Sequence, residues 1–96
     1  MSSPDHTALL GKTNRELLMI CSSATHQHYK GGLYRLLGPH RDSETGEEVK
    51  APDGSAYLIY EHVYPHAVEL WRRPASMFYE DVRVDGKTVP RFRPLR

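Results

Sequence analysis

Tyr57-Leu58-Ile59-Tyr60-Glu61-His62-Val63-Tyr64 decides the fold class. Eight residues rich in β-branched and aromatic side chains, closed by Pro65, read as a central strand. Downstream, Val68 to Arg72 reads as a further short strand that Pro74 stops. Beyond it, Asp85-Gly86 lies between Val82, Val84 and Val89, the strongest hairpin signal in the chain. A two-residue turn there sets Val84 opposite Lys87, Val82 opposite Val89, Glu80 opposite Arg91 and Tyr79 opposite Phe92. On that register Glu80 is structural: it shares a face with Val82 and Val89, and Arg91 is its partner.

Upstream, Leu33 to Leu37 is a short apolar run after Gly31-Gly32, adjacent glycines that imply a bulge or a close backbone approach. Pro52-Asp53-Gly54 marks a second turn. Five or so short strands with frequent turns and no interleaved helices predict a mainly β fold: a small, partly open antiparallel β-barrel. One or two short N-terminal helices precede it, at about 4–10 and 14–21. Ser3 and Pro4 provide a start signal, Gly11 a stop, and Thr13-Asn14-Arg15-Glu16 a capping box. The expected division is a helical extension over 1–25 and a barrel-like domain over 26–96. Helices this short are marginal alone, so Leu9, Leu10, Leu17, Leu18 and Ile20 are expected to dock on the barrel. Cys21 is expected as a buried structural thiol on the same packed face.

Ninety-six residues with 39% hydrophobic and 26% charged composition fit one ordinary globular domain, and a single cysteine excludes an intrachain disulfide or a thiolate zinc site. The longest apolar run, Leu17 to Cys21, is far short of a membrane span, and the start of the chain lacks a signal-peptide profile. Cytoplasmic residence without membrane contact is the expectation. Charge balances overall but not locally. Residues 42–53 carry five acids against Lys50, and residues 83–96 carry five bases against Asp85. A basic tail of Arg91, Arg93 and Arg96 interleaved with Phe92 suits a nucleic-acid backbone, but the acidic segment offers internal neutralisation, which is the favoured reading.

Three sets of residues are candidates for chemistry. His26 and His28 share a strand face, yet no third ligand is fixed by the sequence, so neither a metal site nor a cofactor is expected. His28 with Glu44, beside Ser43 and Thr45, is the hydrolase-type alternative; turn-forming roles for the Ser43-Glu44-Thr45-Gly46 stretch are favoured over it. Trp71 and Arg73 alternate on one face of a short strand, where an aromatic and a guanidinium suit stacking of a planar ligand, although packing at the core or rim is the favoured reading of the pair. The favoured function is non-catalytic recognition of an unidentified small ligand or protein partner, with Tyr29, Tyr60, Trp71 and Arg73 as contact residues.

Four ordered blocks carry a resemblance. They are His28-Tyr29-Lys30-Gly31-Gly32-Leu33-Tyr34-Arg35-Leu36-Leu37, then Asp42-Ser43-Glu44-Thr45-Gly46-Glu47-Glu48, then Leu70-Trp71-Arg72-Arg73-Pro74 with Met77-Phe78-Tyr79-Glu80, and last Asp85-Gly86-Lys87 with Val89-Pro90-Arg91-Phe92. Together they resemble a small bacterial family catalogued as a domain of unknown function with a β-barrel-like fold. The resemblance implies a β-barrel-like architecture and a bacterial, cytoplasmic protein, and it supplies no catalytic residues. Against that family, Val49 to Ala56 reads as an insertion.

Overall fold

Five strands form one antiparallel sheet, and two more form a separate hairpin. The computed structural model describes residues 6–65 and 68–96. In chain order the strands are β1 (His26–His28), β2 (Leu33–Pro39), β3 (Tyr57–Tyr64), β4 (Val68–Pro74), β5 (Asp81–Val84), β6 (Lys87–Pro90) and β7 (Phe92–Pro94). The larger sheet runs β4-β3-β2-β1-β7, so its two edges do not meet. The fold is therefore mainly β, as a partly open barrel, and the Tyr57–Tyr64 strand lies inside the sheet with partners on both sides.

Alternation along β3 gives the sheet two packed faces. Leu58, Tyr60 and His62 are buried, and Tyr60 and Leu58 join Phe78 and Phe92 in one apolar cluster. The opposite face at the β1–β2 end belongs to a second cluster of Leu9, Leu17, Ala24, Leu33 and Leu95. Gly32 passes close to the interior: a Cβ there would lie 2.9 Å from the His62 ring nitrogen Nε2, so the close approach read from the paired glycines is real. Gly38, at a φ of 110°, sits at the irregularity after Leu36, where Leu37 is left out of the β2–β3 ladder and turns to solvent.

The N-terminal segment supplies that second cluster. His6–Leu9 is a single 3-10 turn, and Gly11 ends the segment at a φ of 83°. The expected start at Ser3 and Pro4 lies outside the described residues. Helix α1 (Asn14–Ile20) opens with the expected capping box: the Glu16 amide donates to the Thr13 hydroxyl at 3.1 Å, and the Thr13 amide donates to Glu16 Oε1 at 2.9 Å. Leu9 and Leu17 are buried and Leu18 packs against them, but Leu10 and Ile20 are exposed. A helix of two turns has room for only a narrow buried stripe, which leaves out Ile20 at its last position, and Leu10 lies in the turn before the helix. Cys21 caps the helix and is only partly buried against the same cluster. Residues on both sides of 25/26 thus contribute to one apolar cluster.

The hairpin keeps the expected register from Val84 opposite Lys87 through Val82 opposite Val89. The Arg91 amide still donates to the Glu80 carbonyl at 3.0 Å, and the two side chains pair at 2.5 Å. This pair is a surface one, with the Glu80 side chain 42% exposed, so the expectation of a buried carboxylate is corrected and its contribution is small. Tyr79 and Phe92 do not face each other. Phe92 leaves the hairpin to join β1 opposite His28, whereas Tyr79 points to solvent.

The loop from Arg41 to Ala56 is tied down by short-range bonds from its side chains to its own backbone, besides backbone bonds such as Asp42 N–H to the Glu47 carbonyl. Asp42 Oδ1 accepts from the Glu44 and Thr45 amides, and the Thr45 hydroxyl accepts from the Glu47 amide, so this is a side-chain-closed turn. At the second turn Asp53 accepts from the Ser55 hydroxyl at 2.6 Å, from Ser76 and from the Ser55 amide. These bonds hold its carboxyl at about 2, below the usual 3.8. A carboxyl lowered on folding stabilises the fold above about pH 4, and that contribution is lost as pH falls toward 2. Asp53→Asn is therefore expected to lower stability modestly at pH 6 and to match the parent chain near pH 2. Urea denaturation at the two pH values checks this.

Candidate functional site

The register places three of the four proposed contact residues together. Tyr60 lies opposite Trp71 across β3 and β4, and Arg73 follows two residues later on the same face. With His28, Tyr34 and Phe92 they line a cleft of about 200 Å³. Its floor is a lattice of rings: Phe92 meets Tyr34 at 5.3 Å, Tyr60 at 5.3 Å and His28 at 5.0 Å between centroids, each edge to face. Behind the floor, Phe78 from the short helix α2 (Ala75–Phe78) stacks on Phe92 at 4.3 Å with planes 6° apart.

The polar content of the cleft is concentrated at Arg73. Its Nε donates to the Tyr60 hydroxyl at 3.2 Å, and among the described residues no carboxylate pairs with the guanidinium. Its sequence neighbour Arg72 faces the other way, over the Tyr57 ring at 4.0 Å, so only one of the two adjacent arginines reaches the cleft. Burial raises the Tyr34 phenol above its ordinary value, neighbouring Tyr60 adds to this, and Arg73 opposes it. Trp71 is 48% exposed at the rim, on an edge strand, which corrects the core half of the favoured core-or-rim packing.

The remaining sequence candidates separate. Tyr29 stands on the far side of the His28 ring, 4.5 Å between centroids, and borders a different cavity. Glu44 is exposed in the 42–47 turn and lines neither cavity that His28 borders, so the structure does not bring the hydrolase-type pair together. His26 and His28 do share a face, where His26 meets Phe78 edge to face and burial lowers its imidazole pKa.

Arg91, Arg93 and Arg96 turn to three different partners: Glu80, the Asn14 and Gln27 side chains, and the Ser22 carbonyl. Among the described residues no ion pair joins the basic tail to the acidic 42–53 segment, which corrects the expected internal neutralisation. The topology accounts for it: β7 pairs with β1, while the acidic loop leaves the opposite end of β2.

Sequence reasoning did not select Tyr34 and Phe92 for the site. A signal for Tyr34 was present in its alternation with Leu36 along β2; Phe92 carried none, because the hairpin register assigned it to the wrong sheet.

No helix among the described residues is long and apolar enough to cross a membrane. No curated protein and no solved structure matches the sequence. A family model described as a protein of unknown function (DUF1653) matches residues 24–94, from just before β1 to the end of β7. With well over half its length matched, all four resembling blocks included, the chain belongs to the DUF1653 family of proteins of unknown function.

Proposed function

We propose that this protein is a non-catalytic recognition module of the bacterial cytoplasm, whose cleft at Tyr60, Trp71 and Arg73 takes one planar, negatively charged group. The observation that carries the reading is Arg73. Among the described residues this half-buried guanidinium is held by a phenol and paired with no carboxylate, and a ligand anion is the partner that offsets its desolvation. Trp71 beside it offers a flat, exposed face for stacking. The cleft volume of about 200 Å³ lies below the range of about 300–1,000 Å³ that holds a drug-sized molecule. It suits a single ring or a single side chain of a larger partner.

Trp71 is the sole tryptophan of the chain, so intrinsic emission reports this cleft directly. Titration with benzoate and orotate is expected to quench Trp71 saturably, with the neutral analogue benzamide binding about tenfold more weakly, the discrimination a charge-assisted hydrogen bond supplies. Arg73→Gln should remove that discrimination while leaving residual stacking. Emission that stays constant with both anions, or equal binding of benzoate and benzamide, would defeat the proposal.

A further inference from the structure

A second cavity, of about 410 Å³, lies between the β5–β6 hairpin and the edge of the main sheet. Its walls are Leu10, Tyr29, Val84, Val89 and Pro90, with Gln27 and Arg93 at the sheet side and Lys87 and Asp85 at the hairpin turn. The apolar face of the hairpin is incompletely covered: Val82, Val84 and Val89 are each only half-buried, and Leu10 across the gap is exposed. A two-stranded hairpin has little stability of its own, so a face left open toward a cavity is an unmet packing demand.

Arg93 gives this cavity its chemistry. The Gln27 amide group donates to the Leu9 carbonyl at 3.2 Å and to the Gly31 carbonyl at 3.1 Å, which fixes its oxygen toward Arg93; that oxygen accepts from the guanidinium at 2.6 Å. Asn14 Oδ1 accepts from the other terminal nitrogen. Two neutral amide oxygens thus orient the guanidinium without cancelling its charge, and further N–H donors remain. Among the described residues neither Arg93 nor Lys87 forms an ion pair, and neither does Asp85, the one carboxylate on the lining. Two cations against one carboxylate leave the rim of an apolar cavity net positive.

We propose that this cavity binds an amphiphilic carboxylate of the medium-chain fatty acid class, its alkyl chain under the hairpin valines and its carboxylate on Arg93. The site is distinct from the cleft at Trp71: the two have the His28 ring as a common wall and no other lining residue in common.

The test uses the full chain with octanoate, 1-octanol and acetate, reading the methyl resonances of Val84 and Val89, which line the cavity, together with Trp71 emission. Octanoate is expected to shift the valine methyls saturably, octanol to bind about tenfold more weakly, and acetate to leave them unmoved. Trp71 emission stays constant throughout. Arg93→Gln should bring octanoate and octanol to equal affinity, and Val84→Phe, which narrows the cavity under the hairpin, should weaken binding of both. Valine methyls unmoved by octanoate in the parent chain overturn the proposal, as does octanol binding as tightly as octanoate. Because both comparisons are made on the parent chain, a variant that fails to fold does not shelter the idea. Octanoate that alters Trp71 emission alone assigns it to the other cleft and equally overturns this site.

Discussion

Replacing Phe78 with alanine is expected to cost about 3–5 kcal/mol in urea unfolding, the range for emptying a buried aromatic position. Phe78 is fully buried, stacked on Phe92, with the Tyr60 ring at 5.5 Å and the His26 ring at 5.4 Å. Its removal strips the back of the cleft as well as the core, since Phe92 and Tyr60 line the cleft in front of it. Domains of this size have a total stability of about 5–15 kcal/mol, so the variant should sit near the edge of folding. Phe78→Leu keeps most of the volume, loses the stacking and is expected to retain about half of that stability difference. A Phe78→Ala chain that unfolds at the parental urea midpoint would mean that α2 is a surface appendage.

Phe78 also shows where reading the sequence stops. The Tyr57–Tyr64 strand was legible because its chemistry is consistent over eight residues and its ends are punctuated, and its observed bounds agree. The hairpin register was legible because Asp85-Gly86 fixes the turn, and Asp85 and Gly86 do adopt the left-handed φ values of 51° and 77° that such a turn requires. Phe78 lies in a helix of only four residues, too short to show periodicity. Its burial comes from the return of Phe92 to the main sheet, a contact made by topology and invisible in local pattern. The candidate cleft divides in the same way. Tyr60, Trp71 and Arg73 were readable because two adjacent strands set them in register, whereas Tyr29 was misplaced because the chain turns sharply after His28 and sends its ring to the other cavity.

Removing residues 1–23 is expected to lower the melting temperature by at least about 10 °C, followed by circular dichroism. The cut falls just before the family-matched segment and spares Thr25, whose amide donates to the Tyr34 carbonyl and whose carbonyl and hydroxyl accept from the Leu95 and Leu36 amides. What goes is Leu9 and Leu17, two of the five buried members of the cluster on that face. Losing one buried leucine costs about 2–5 kcal/mol, and in a domain of this length each kcal/mol lowers the melting temperature by about 4–8 °C. Leu33 and Leu95 would be left facing water, and Gln27 and Arg93 would lose the Leu9 carbonyl and the Asn14 side chain. Leu17→Ala in the full chain should reproduce part of the loss, while Met19→Ala, at a position 79% exposed on the same helix, should change little. That contrast separates packing from a general effect of the segment. A truncated chain melting with the parent would make residues 1–23 a dispensable arm. The expected drop would instead make the helical extension and the barrel one cooperative unit.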